Sequence, residues 1–176
     1  MNEYDYENSL KDMPDSELFI ALASPVGTDS AIVYETLEKA LKEFNFTTFK
    51  VKISSEILLP NISTYIDLDN ASIRSSALMD KGNDIRKDSE NCGILAQGAM
   101  SIISKLRLHE AQKNSGSLKG KKIAYIIDSL KHKDEVKLLR KVYSPAFYLF
   151  AINESEKDRE NYLTNRNFFG LHANVI

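Results

Sequence analysis

Glu17 to Ala23 (ELFIALA) runs directly into Ser24-Pro25-Val26-Gly27-Thr28-Asp29, after which Val33, Leu37, Ala40, Leu41 and Phe44 recur at helical spacing. A short apolar run that stops at a Pro and a Gly has the pattern of a buried strand feeding a turn. The periodic segment that follows has the pattern of an amphipathic helix, and Thr28, Asp29 or Ser30 can cap its first N–H groups. Thr47 to Ile53 (TTFKVKI) alternates and is rich in β-favouring residues, so it predicts a second strand one crossover later. This βαβ opening sets the fold class.

The rest of the chain keeps the alternation. Ser54 to Asp69 offers a short helix stopped by Pro60, then no clean period. A helix is expected from Ser72 to Arg86, with a flexible Gly82-Asn83 corner inside it, and a broadly apolar helix from about Cys92 to Leu108. Asn114 to Gly120 (NSGSLKG) is a loop. Lys122 to Asp128 (KIAYIID) predicts a strand ending in an acid, Asp134 to Tyr143 an amphipathic helix, Ala146 to Ile152 (AFYLFAI) a final strand, and Glu156 to Asn167 a closing helix. Strand and helix in regular succession predict a three-layer, doubly wound, mainly parallel α/β sheet. It occupies residues 17–176 as one domain behind a polar, flexible tail over 1–16, in which Tyr4 and Tyr6 are either solvated or docked on a partner.

Composition narrows the functions. At 176 residues and 43% apolar, the chain can build a core without disulfides, and its single cysteine, Cys92, could form no internal one. One thiol also excludes zinc ribbons and the paired-cysteine zinc site of nucleoside deaminases. His109, His132 and His172 are far apart in sequence and show no metal-ligand spacing, so no zinc site is expected. A formal net charge of -2 supplies no long-range attraction for nucleic acid or anionic lipid, although Lys119, Lys121 and Lys122 form a local basic patch. No apolar run approaches the roughly 20 residues that span a bilayer, and the acidic N-terminus is the reverse of a targeting peptide, so a cytoplasmic protein is expected.

In doubly wound sheets, ligands bind beyond the carboxyl ends of the strands. The stretch Ser24 to Ala31 stands where a phosphate-binding G-x-x-x-x-G-K-[ST] loop would stand, at a helix N-terminus that attracts anions. Counted from Ser24 as the first Gly, Asp29 replaces the second Gly, Ser30 the Lys and Ala31 the hydroxyl. The cation that grips β- and γ-phosphates is then missing, and Asp29 opposes an incoming anion. Asp128 ends its strand where an acid orients magnesium, and is the one candidate metal ligand. Arg86, after the Gly82-Asn83 corner, offers a planar fork either for a phosphate or for a surface salt bridge.

These segments together resemble the P-loop-kinase-like N-terminal domain of bacterial anti-phage deoxycytidylate deaminases. The family's G-x-x-G-[ST] core with a following polar or acidic residue is matched by Val26-Gly27-Thr28-Asp29, with Ser24 where the first Gly is usual. Its Gly-Asn-x-[LI]-Arg corner falls on Gly82, Asn83, Ile85 and Arg86. Its Ile-Asp-Ser-Leu-Lys-x-x-x-Glu-Val-x-x-Leu-Arg string falls on Ile127 through Lys131, Glu135, Val136, Leu139 and Arg140. The resemblance covers about 17–159 and implies a P-loop nucleoside-phosphate-kinase-like fold that binds a nucleotide, with Mg, through Ser24, Val26, Gly27, Thr28, Asp29, Ser30, Asn83, Arg86, Asp128 and Arg140. The His-x-Glu and Pro-Cys-x-x-Cys elements of the deaminase half are absent from this sequence.

The function implied is nucleotide sensing or regulation within an antiviral deaminase system, without phosphoryl transfer. Its expected partners are a deaminase domain or chain, a second copy of this chain, or an RNA inhibitor. Two alternatives stand beside it. An active nucleotide kinase would need a cation from elsewhere, with Arg86, Arg140 or Arg159 as candidates. A structural interaction domain would bind no nucleotide and use the fold to hold a deaminase or an RNA inhibitor. Separately, the terminal aromatics Phe168 and Phe169 either form a docking surface or fold back onto this domain's own sheet.

Overall fold

A computed structural model of the chain describes residues 14–62 and 70–169. Strands β1 (Ser16–Ala23), β2 (Thr47–Lys52), β3 (Lys122–Leu130) and β4 (Phe147–Ala151) form one sheet in the order β2-β3-β1-β4, and every pairing is parallel. Helix α1 (Ser30–Glu43) crosses from β1 to β2. Helices α2 (Ala71–Asp88) and α3 (Ile94–Lys113) fill the long connection from β2 to β3, α4 (Lys133–Tyr143) links β3 to β4, and α5 (Glu156–Phe169) follows β4. No helix among the described residues is long and apolar enough to cross a membrane.

Period-two alternation divides the sheet into two faces. Phe19, Ala21, Val51, Ile123, Tyr125 and Ile127 cluster with Leu95, Ala96, Ala99 and Ile103 of α3 and Leu139 of α4. Ile20, Leu22 and Ile126 point the other way and meet Val33, Tyr34, Leu37 and Leu41 of α1. Helices therefore cover both faces, as a parallel sheet requires. β3 runs through the middle and is buried from Ile123 to Asp128. β4 lies at the edge with Tyr148, Leu149 and Phe150 exposed, so the apolar run Ala146 to Ile152 is less enclosed than its composition suggests.

Three local features differ from the expectations drawn from sequence. Gly82 and Asn83 form no corner: α2 passes straight through them to Asp88. Gly82 lies in a close contact there: a Cβ would come 3.3 Å from Arg86 Nη1 and 3.6 Å from Leu58 Cδ1. Ser54 to Asn61 forms a π-turn (Ser54–Leu58) running into a 3-10 turn (Leu59–Asn61). Pro60 sits within the second turn, and the chain extends only at Ile62. β3 continues past Asp128 to Leu130. β1 opens at Ser16, and the Asp15 N–H donates to Lys121 O at 2.9 Å. Tyr4, Tyr6 and the side chains of Phe168 and Phe169 lie outside the described residues.

An aromatic stack braces the helical face against the sheet. Phe19 lies 3.8 Å from the Tyr143 ring and 5.3 Å from that of Tyr125, stacked nearly parallel to each, and Phe49 extends the series at 5.9 Å from Tyr125. The Arg107 guanidinium, held to Glu17 through Nε and Nη2, sits 5.5 Å from the Phe19 ring. Burial pushes the Tyr125 phenol well up, with Glu17 adding to the rise and Arg107 opposing it, and burial raises Tyr143 as well. The folded chain therefore keeps protons that the unfolded chain releases near its ordinary tyrosine pKa of about 10, so this contribution to stability is intact below that pH and lost above it. Denaturant midpoints should fall as pH rises from about 9.5 to 11. Phenolate absorbance should show Tyr125 and Tyr143 ionising only as the chain unfolds, whereas full ionisation in the folded protein would refute this account of the stack.

Candidate functional site

The carboxyl ends of β1 and β3, neighbours in the sheet, bring the loop 24–29 and Asp128 to one place. Gly27 turns the loop with φ +87, and a Cβ there would lie 2.7 Å from the Arg159 carbonyl oxygen of α5. Both the left-handed backbone and the close approach require glycine. Arg159 Nη1 donates to Val26 O at 3.2 Å, which ties α5 to the loop. Asp29 caps α1 by accepting the Ala31 N–H at 3.0 Å.

A β-bulge shapes the acid. The register runs Ala21 with Ile127 and then Ala23 with Leu130, so β3 carries one extra residue there, and Ser129 takes φ +75. Bulges re-aim strand ends, and here Asp128, only 2% exposed, receives the Ser30 hydroxyl at 2.8 Å and has Lys52 Nζ at 3.6 Å on the same oxygen. These partners offset what an isolated buried carboxylate would cost. Ser54 and Ser129 share a hydrogen bond of 3.2 Å beside them. Lys131 reaches over the loop and donates from Nζ to Ser24 O at 2.6 Å. Desolvation draws its pKa down, against the pull of Asp128 and Glu135.

The hydroxyl that meets the strand-end acid is that of Ser30, the first residue of α1, and Asp29 just before it is the helix cap. Thr28 is 9% exposed, and among the described residues its buried Oγ1 has no hydrogen-bond partner; Arg159 Nε is likewise buried without one.

Arg86 is committed elsewhere. Its Nε and Nη2 donate to Glu135 Oε1 at 3.0 and 2.6 Å, and Nη1 reaches Asn83 Oδ1 at 3.4 Å. Glu135, fully buried, accepts the N–H groups of Lys131 and His132 on Oε2 at 2.9 and 3.0 Å, and with His132 closes a capping box at the start of α4. The planar fork that the sequence offered to a phosphate holds a carboxylate instead. Arg140 stands 5.8 Å from the ring of Phe147, at the amino end of β4, the opposite end of the sheet from the loop. The structure thus gathers Ser24, Val26, Gly27, Thr28, Asp29, Ser30 and Asp128, and leaves Asn83, Arg86 and Arg140 outside the hydrogen bonds of the loop.

Lys52, Lys131 and Glu135 were not singled out as site residues by the sequence. Lys131 and Glu135 lie in the Ile127 to Arg140 string, three and seven residues after Asp128, so the signal was present as a spacing. Lys52, the last residue of β2, carried none. Two further features stand apart from the loop. Cys92, His132 and Asp134 have ligand atoms within 4.8 Å of one another. His132 Nδ1 already accepts the Asp134 N–H at 3.2 Å, so the imidazole lone pair is used as a helix cap. A groove of about 580 Å³ between the Leu59–Asn61 turn and α2 is lined by Asp80, Asp84 and Lys81, a charge balance that repels phosphate.

No protein-family model matches the chain, and no curated protein matches its sequence.

Two substitutions probe this architecture by chemical denaturation. Arg86→Gln should destabilise the fold by about 3–5 kcal/mol, because it strands a buried carboxylate. Replacing Glu135 by Leu in the same chain should not restore stability, since the N–H groups of Lys131 and His132 lose their acceptor; full recovery would show that the pair is dispensable packing. Gly27→Ala should cost at least about 1–3 kcal/mol through its left-handed backbone alone, and a neutral result would refute the close contact with α5.

Proposed function

We propose that this chain is a cytosolic nucleotide-sensing domain of the P-loop kinase-like type, which binds nucleotide phosphates at the loop 24–30 and carries out no phosphoryl transfer of its own. The observation that supports this most is the hydrogen bond from Ser30 to Asp128, because a helix-start hydroxyl on a strand-end acid is the pairing that such sites use to orient magnesium. The strand order β2-β3-β1-β4 and the positive φ of Gly27 agree with it. Ser30 and Asp128 would hold a magnesium ion arriving with the nucleotide, directly or through water, and the ion would neutralise phosphate charge. Taking Ser30 as the hydroxyl of the loop puts Asp29, rather than Ser30, in the place of the usual lysine, where it weakens anion binding and leaves out a contact that phosphoryl transfer needs. Following the family resemblance, the signal sensed is the nucleotide pool, and the output is control of a zinc deaminase carried by another domain or chain.

Calorimetry with ATP, dCTP and dTTP in magnesium should show weak binding, and radiolabelled ATP should show no hydrolysis or transfer. Asp29→Lys keeps the Ser30 hydroxyl and restores a cation, so it should tighten binding about tenfold, the worth of roughly one charge-assisted hydrogen bond. Absence of binding by both proteins would favour the structural-domain alternative. ATP-dependent phosphorylation of a nucleotide by the wild type would favour the active kinase.

A further inference from the structure

We propose that Lys131 is the cation that meets the ligand's phosphates, delivered from the turn after β3 in place of the lysine that the loop lacks, and that the Arg86–Glu135 pair positions it. This inference rests on the nucleotide reading above and specifies its ligand as a polyphosphate, whatever base is attached.

Lys52, the nearest cation to Asp128, is already bound to that carboxylate. Lys131 has no carboxylate within ion-pair distance among the described residues; its ammonium rests on one carbonyl, Ser24 O at 2.6 Å. An ammonium has three donors, so a single carbonyl leaves it under-used at the rim of the loop. Lys131 is exposed at that rim, so an incoming anion can reach its ammonium, while partial desolvation against the loop draws its pKa down.

The loop itself holds further unspent donors. Among the described residues, Thr28 Oγ1 is buried with no acceptor, as is Nε of Arg159 on the adjoining α5, whose guanidinium otherwise bonds the Val26 carbonyl. The N–H groups of Gly27 and Asp29 donate to no backbone carbonyl among the described residues. Buried donors without partners are uncommon in folded proteins, and a group rich in oxygen acceptors satisfies several at once. Lys131 is also held in place rather than left to wander. Its own N–H is bound by Glu135 Oε2, and Glu135 is fixed by the fork of Arg86, so α2 and α4 together set where the lysine stem departs.

The test titrates the full chain with inorganic tripolyphosphate, then with magnesium complexes of ATP and dCTP. Lys131→Gln should weaken binding of all three probes at least tenfold with little change in melting temperature, Lys131→Arg should recover most of the loss, and Lys119→Gln on the distant 114–120 loop should bind as wild type does. In the unmodified protein, tripolyphosphate should protect Lys131 from acetylation, read by mass spectrometry, which keeps the test open if a variant fails to fold. Equal binding by wild type and Lys131→Gln, or unchanged acetylation, overturns the role of Lys131 and leaves the nucleotide reading intact. Failure of the wild type to bind any of the three overturns both.

Discussion

Glu135 has no exposed surface and spends both carboxylate oxygens inside the protein, one on the guanidinium of Arg86 and one on two successive backbone N–H groups. A buried charge is tolerable only when fully partnered. Glu135 itself stands in the first turn of α4, and its partners are drawn from α2 and from the turn after β3. Satisfying a single carboxylate therefore fixes three otherwise separate parts of the chain. The turn it fixes follows Asp128, so the geometry at the carboxyl end of the sheet depends on a charge that itself touches nothing in the loop.

Asp128 depends on the sheet in a different way. An extra residue on β3 and the left-handed Ser129 break the ladder just where β1 gives way to the loop. That break lets one oxygen of a nearly inaccessible carboxylate face both the start of α1 and the end of β2. The start of α1 and the end of β2 thus converge on one oxygen of β3. The loop is further pressed from outside by α5, whose Arg159 contributes a carbonyl against Gly27 and a guanidinium to Val26. A site assembled this way is rigid at its floor and depends on α5 for its cover.

Much of this was legible in the residues. Apolar runs such as ELFIALA and KIAYIID announced strands because a parallel core strand is buried on both faces, and the helices between them showed their period. The loop's place between β1 and α1 is readable from the Pro-Gly turn, but that Ser30 is the residue whose hydroxyl meets Asp128 is not, because the partner lies ninety-eight residues away. Gly82 misled for a related reason: glycine signals either a bend or a tight contact, and only Leu58 and Arg86 packed against it decide which. Arg86 looked like a free phosphate ligand because the sequence does not show which acid, forty-nine residues later, will claim it.

The order of strands has a consequence for how the chain comes into being. β1 and β2 are separated by β3 and share no hydrogen bonds, although they are made first and adjoin in sequence. Ser16 must wait for Lys122, and Thr47 for Ile123, before either strand has a neighbour. The entropy of closing so long an intervening segment comes due before any ladder bond can form. During synthesis, the sheet cannot start until β3 has left the ribosome, and the apolar strand Phe19 to Leu22 spends that interval unpaired. A nascent chain therefore carries this apolar strand without its sheet neighbours until β3 emerges, and one halted before Lys122 would hold no part of the sheet.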